Sequence, residues 1–306
     1  MTAATVAAAP TGAFTRRWER LTPYAYIAPF FLLFLAFGLG PLVFTGWVSM
    51  HEWKVLTGDA GFVGLRNFAG VFSDPNFWKA LRNTFAIFLI STIPGIGLSL
   101  WFAVLLNNRS LRAQTFWRMV LLVPNVTPLV TVAIVFSTIF GRNLGPVAWI
   151  LQVFGLPEID WVASAFTVQI VVAIMVIWRW TGYNTLIYLA AMQAVPDTLY
   201  DAAEIDGANR WQSFLHVTVP SIRPTILFSV VTSTVGGLQI FTEPLLFTNA
   251  VGGSDGQGLT LTLLLYSQAF GSFNFGYASA IAVMLLFVVL AVTLLNFGLA
   301  RMIKGA

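Results

Sequence analysis

The chain has 306 residues, of which 58% are hydrophobic and only 9% charged, and its mean hydropathy is +0.81. A water-soluble surface needs roughly a quarter to a third of its positions charged, so this composition excludes a pair of ordinary soluble domains and points to a bilayer. The formal charge of +4 comes from 16 Lys+Arg against 12 Asp+Glu, and a cysteine count of zero excludes disulfide frameworks, thiolate metal sites and cysteine nucleophiles. The basic residues are spread between apolar blocks, a pattern that suits helix orientation better than nucleic-acid binding.

Residues 1–22 read as a tail. Its first fifteen positions, rich in Ala and Thr, are expected to be disordered, and Arg16, Arg17 and Arg20 follow. The first apolar run is far longer than a signal-peptide core and no small-residue cleavage pattern closes it, so a retained span is predicted at about 25–48. Apolar stretches with at most one charged residue each predict five more spans, at about 84–106, 119–140, 163–189, 224–248 and 277–300, each near the ~20 residues needed to cross a bilayer. The fold class is therefore all-α integral membrane, with one six-helix transmembrane domain over 23–302. The stretch 143–157 carries Gly145, Pro146, Gly155 and Pro157 near its ends and reads as an interfacial helix. Loops 49–82 and 249–275 are long enough to shape one surface, the second being glycine-rich from Gly252 to Gly258. Arg16, Arg17, Arg20, Arg109, Arg112, Arg118, Arg210, Arg223, Arg301 and Lys304 collect on one side of the spans. Lys54, Arg66, Lys79, Arg82 and Arg142 collect on the other, and ten against five predicts that both termini are cytoplasmic.

The sixteenth basic residue, Arg179, falls inside the fourth span, close to mid-membrane at 1.5 Å per residue. A guanidinium there costs at least ~2.5–3.5 kcal/mol unless it is solvated or paired. It either donates to hydroxyl or anionic groups of a bound substrate, or bonds backbone carbonyls or cavity water. Glu243 is the acidic counterpart favoured by chemistry, but on a straight fifth span it lies near the outer end, so depth argues against the pair. Trp178, Trp180, Tyr183 and Asn184 in the fourth span, with Thr232 and Gln239 in the fifth, supply flat faces and polar groups that suit an internal cavity better than lipid.

The most polar segment is the cytoplasmic loop 194–222, between the fourth and fifth spans. Pro196 suits a helix start, Asp197 and Asp201 suit the positive end of its dipole, and Gly207 supplies a left-handed stop. A second short helix stopped by Pro220 is expected to follow. Asp197, Asp201 and Glu204 form an acidic stripe, while Leu199, Ala202 and Ala203 form a small-residue face able to approach another protein closely.

Asp201-Ala202-Ala203, three residues, Gly207, nine residues and Val217-Thr218-Val219-Pro220 resemble the signature loop of permease subunits of binding-protein-dependent ABC importers. That family's pattern is Glu-Ala-Ala, three residues, Gly, nine residues, Ile, any residue, Leu, Pro, and the departures here conserve charge or hydrophobicity. FVGLRNF at 62–68, SDPNFWKALRNT at 73–84, TGYNTLIYLAAMQAVP at 181–196, LQIFTEPLLFTNAVGG at 238–253 and FGYASAIAV at 275–283 resemble the sugar-importer branch, the MalF-like first permease subunit.

The resemblance implies the type I ABC importer permease fold in a bacterial inner (cytoplasmic) membrane, with a helix-turn-helix coupling loop seated on an ATPase. It carries ATPase coupling to Asp201, Ala202, Ala203 and Gly207, with Asp206 and Arg210 as neighbours, and substrate binding to Arg179, Trp180, Tyr183, Thr232, Gly236 and Gln239. The implied partners are a second six-span permease, an ATPase dimer that holds ATP and Mg, an extracytoplasmic solute-binding protein and a carbohydrate. No cofactor, metal or nucleic acid is expected on this chain, and no catalytic residue. Lys54, Lys79 and Lys304 follow Trp53, Trp78 and Ile303, so no Gly-Lys-Ser/Thr nucleotide cradle exists, and His51 and His216 lie in different loops. A glycerol-phosphate importer with Arg179 meeting the phosphate is the alternative within the family. Outside it stand an ATP-independent secondary transporter, a membrane transferase and a polytopic sensor.

Overall fold

The computed structural model describes residues 13–54, 58–108, 110–142, 145–248, 252–253 and 256–302. The expected disordered segment 1–15 lies outside the described residues except for its last three positions, which are helical. Helix α1 (Ala13–Leu33) passes through a π-helical turn (Phe34–Leu39) into α2 (Gly40–Val48). The most apolar stretch of Thr22–Val48 buries nothing against the rest of the chain, as suits a helix covered by lipid or by another subunit.

The 49–82 region, read from sequence as one loop, carries its own structure. Strand β1 (His51–Lys54) pairs antiparallel with β2 (Gly58–Phe62), His51 lying opposite Phe62, and Lys54 also bridges to Asn274. α3 (Arg66–Ser73) follows, and α4 (Pro75–Asn107) then begins nine residues before the expected span. Its start is fixed by Asp74, whose side chain accepts the Asn76 N–H at 2.9 Å, and by Pro75 in the first turn. Lys79 and Arg82 therefore ride on the helix, at its first two turns.

The expected third span is broken. α5 (Gln114–Val126) and α6 (Leu129–Ile139) meet at 94°. Pro128 forces the residue before it out of the helical region, and Thr127 is extended at φ −72°, ψ 132°. α7 (Pro146–Val153) occupies the region read as interfacial, and α8 (Ala165–Gln193) runs unbroken for 29 residues from its Ser164 cap.

α9 (Asp197–Ile205) is followed by α10 (Arg210–Ser213), a π turn (Phe214–Thr218) and α11 (Val219–Ser221). Pro220 does not stop this second arm as expected. The π turn re-registers the backbone, with Val219 N–H bonding Phe214 O, and the helix continues to Ser221 before bending 69° into α12 (Arg223–Leu238).

The expected fifth span also breaks, after Leu238, and resumes as α13 (Thr242–Thr248). The cause is legible in Pro244, four residues after Ile240: it has no N–H to give the Ile240 carbonyl. The Thr260 hydroxyl takes that carbonyl instead, at 3.0 Å. α14 (Leu261–Tyr266), a π turn (Ser267–Gly271) and α15 (Phe275–Met302) complete the chain. Among the described residues four helices are long and apolar enough to cross a membrane, or six spans if each of the two bent pairs counts once.

α4 and α8 form the central pair, with α12 against α4 and α15 against α12 and α14. Small residues set these close approaches: Ser99 Oγ donates to Thr181 O at 3.1 Å across the central pair. At Gly182 in α8 an added β-carbon would lie 1.7 Å from the Leu121 carbonyl oxygen of α5. Buried Asn83 of α4 donates to Leu259 O at 3.1 Å and accepts from Gln169 Nε2 of α8 at 3.0 Å, tying both central helices to the segment before α14.

Candidate functional site

A cavity of 460 Å³ opens between the middles of α4 and α8 and the C-terminal half of α12, and the break before α13 also lines it. All six residues proposed from sequence for substrate contact line it: Arg179, Trp180 and Tyr183 from α8, Thr232 and Gly236 from α12, and Gln239 at the end of α12. The helical period explains the α8 set, since 179, 180, 183 and 184 share one face. Trp180 and Tyr183 meet edge to face, ring centroids 5.9 Å apart, and both are part-exposed to the cavity. They offer flat apolar surface beside hydrogen-bonding groups, the combination a pyranose ring needs.

Arg179 is the central residue of α8 and pairs with Glu243, Nη1 to Oε1 3.5 Å, their side chains 20% and 9% exposed. The depth argument against this pair fails, and its reason is the break in the fifth span. A straight helix from Arg223 would carry Glu243 ~30 Å along the axis. Because α12 ends at Leu238 and the chain turns, Glu243 instead enters the cavity wall within reach of Arg179. The guanidinium also lies over the Trp180 ring, 5.7 Å from its centroid, while its Nε is buried without a hydrogen-bond partner.

Sequence reasoning missed the contribution of α4. Ser91, Thr92 and Gly95 line the cavity too, as does Thr242 beside Glu243. The available signal was a small, hydroxyl-bearing cluster next to Pro94 in an otherwise apolar run.

The second constellation is the loop at the far ends of α8 and α12. Asp201, Ala202 and Ala203 sit on α9, Asp206 is its cap, and Gly207 follows in the left-handed conformation at φ +78°. Gly207 N–H bonds Glu204 O at 3.0 Å and Ala208 N–H bonds Ala203 O at 2.9 Å, the paired bonds that close a helix C-terminus. Arg210 opens α10, capped reciprocally by Asn209 and Gln212. Tyr200 Oη and Thr218 Oγ1, 3.0 Å apart, tie the two arms together. The result is a rigid, exposed helix-turn-helix whose tip presents Ile205 at 87% and Trp211 at 64% exposure, flanked by exposed Asp201, Asp206 and Arg210. Apolar anchors ringed by charges suit a protein partner.

At the other end, Arg66 and Lys54 both pair with Glu52, and Arg66, the stronger influence, holds the Glu52 carboxyl below its ordinary value of 4.5. His51 is buried with Nδ1 2.8 Å from Trp47 O, and His216 is exposed with Nδ1 3.0 Å from Gln212 O. No group of three His, Asp or Glu among the described residues could hold a metal.

Residues 95–304 match the family of binding-protein-dependent transport system inner membrane components. The chain is 33% identical to the lactose transport system permease LacF of Rhizobium radiobacter, over 94% of this chain and 96% of the relative. It is 34% identical to the arabinooligosaccharides transport system permease AraP of Bacillus subtilis, over 94% of this chain and 91% of the relative. Its fold matches a chain of a bacterial alginate ABC transporter solved in complex with an alginate pentasaccharide-bound periplasmic protein. The TM-score is 0.79 at 22% identity, over 94% of this chain and 98% of that one. The chain belongs to the binding-protein-dependent transport system inner membrane component family.

Proposed function

We propose that this family member forms one of two membrane-spanning halves of an ATP-driven carbohydrate importer, its α9–α11 loop seated on a separate ATPase. The cavity between α4, α8 and α12 passes the sugar by alternating access. The observation that carries this reading is the cavity itself, which gathers two aromatic faces, hydroxyl and amide groups and a charge pair at the middle of the two central helices. The names of relatives that transport lactose and arabinooligosaccharides support carbohydrate as the cargo class.

In this account ATP binding closes an ATPase dimer around the loop, and the stiff turn at Gly207 passes that motion to α8 and α12, between which the loop is strung. The cavity then changes its open side and receives sugar from an external solute-binding protein. The second permease supplies the other wall, consistent with the unburied face of Thr22–Val48. Ten basic residues against five support a cytoplasmic position for the loop and both termini in a bacterial inner membrane. ATP and Mg belong to the partner, because this sequence has no phosphate-binding Gly-Lys-Ser/Thr loop. Purification in mild detergent is expected to bring down an ATPase with the chain, and Ile205→Asp with Trp211→Asp is expected to release it without loss of membrane insertion. An ATPase retained by that double variant would contradict the docking role.

A further inference from the structure

Arg179 and Glu243 are the only charged side chains among the described residues that line the cavity, and they face each other across its wall. We infer that Glu243 sets the charge class of the cargo: by neutralising Arg179 it fits the pathway to uncharged, hydroxyl-rich sugars and rejects carboxylated and phosphorylated ones. This rests on the carbohydrate reading above and narrows it.

The chemistry follows from what each ligand can do. A vicinal diol both donates and accepts, so it satisfies a carboxylate and a guanidinium at once. A carboxylate or phosphate only accepts, so it can serve Arg179 but meets Glu243 as a like charge a few ångströms away, in a site largely removed from water. Glu243 also holds its place for reasons independent of any ligand. The missing Pro244 N–H breaks the helix, and Thr260 fixes the freed Ile240 carbonyl, so the carboxylate is aimed at α8 by backbone geometry. With Glu243 removed, Arg179 keeps its Trp180 contact and becomes a net cation lining the cavity, an anion site in place of a neutral one.

The test is direct binding to the assembled permease–ATPase complex without its solute-binding protein, so that only the membrane cavity selects. The probes are lactose, maltose and arabinobiose as neutral sugars, and digalacturonate and glycerol 3-phosphate as anions. The unchanged complex is expected to bind at least one neutral sugar and to bind both anions at least tenfold more weakly. Glu243→Gln is expected to raise anion affinity about ten- to a hundredfold, the scale of a charge-assisted hydrogen bond. The double variant Glu243→Gln with Arg179→Gln is expected to lose that gain. Anions bound by the unchanged complex as tightly as the neutral sugar would overturn the charge rule while leaving the carbohydrate reading standing. A Glu243→Gln complex that assembles yet gains no anion binding overturns it too. Binding of glycerol 3-phosphate alone, or of no probe, overturns the carbohydrate reading and the charge rule together.

Discussion

The contact between α5 and α8 gives a sharp physical expectation. At Gly182, between the cavity residues Thr181 and Tyr183, a β-carbon would stand 1.7 Å from the Leu121 carbonyl oxygen and 2.5 Å from its carbon. Real β-carbons essentially never come within 3.0 Å of such an atom, so Gly182→Ala must move backbone against backbone by about 1.3 Å. No flexible side chain can absorb that shift. Overpacking of this kind costs about 1–3 kcal/mol, and parting two helices by ~1 Å also forfeits a quarter to a half of the dispersion well at each contact. The upper end, about 3 kcal/mol, is therefore expected, or roughly 5–10 °C in the melting midpoint of the detergent-solubilised complex. Gly236→Ala is the matched control, because a β-carbon there meets nothing within 4 Å. Light-scattering melts of the two variants beside the unchanged protein read the difference. A Gly182→Ala complex that melts with Gly236→Ala would refute the close approach of α5 to α8.

Three further outcomes follow from other parts of the molecule. A β-carbon at Gly207 would meet no other atom of this chain within 4 Å, so within the chain a substitution there acts through backbone strain: Gly207→Val is expected to cost about 1–2 kcal/mol locally and to depress ATP-driven uptake, whereas Gly207→Asn, tolerant of the left-handed region, retains more of it; uptake assays at equal membrane content compare them. Asn83→Ala leaves the Leu259 carbonyl and the Gln169 amide unpaired in the interior and is expected to destabilise the complex by about 3 kcal/mol, read as a lowered melting midpoint. Glu52 has a depressed folded pKa, so its contribution is present above the ordinary value of 4.5 and lost as pH falls through the lower folded value. Protease cleavage near the β1–β2 pair and α3 is therefore expected to rise below that range, and Glu52→Gln, which has no such carboxylate, is expected to show no further rise.

Much of this architecture is visible in the residue order because the bilayer imposes strict requirements. Apolar runs of spanning length mark α4, α8 and α15, and Gly207, which follows the end of α9, is read from helix-end chemistry alone. Arg179 is marked by its cost in lipid, but its cavity neighbours Trp180 and Tyr183 come from the family resemblance, and the residue order does not say which α8 face lines the cavity. What was not legible depends on partners distant in sequence. The turn after Leu238 needs both Pro244 and Thr260, and without it Glu243 is assigned to the wrong depth. Ser91, Thr92 and Gly95 were hidden in a run whose mean hydropathy outweighs three small residues, and the hairpin at 51–62 lay within a stretch too mixed to show alternation. Pro128 was a readable signal: the residue before a proline leaves the helix, and here that residue turns the chain by 94°.

The most direct measurement is uptake of a panel of labelled neutral mono- and disaccharides in cells with and without this chain, with ATP and ion gradients controlled separately. Deletion is expected to abolish uptake of one sugar. The intact chain is expected to restore it, and the restored uptake to persist when ion gradients are collapsed but ATP is maintained. Sugar uptake that is unchanged by deletion across the panel, or that follows an ion gradient without ATP, would contradict the account.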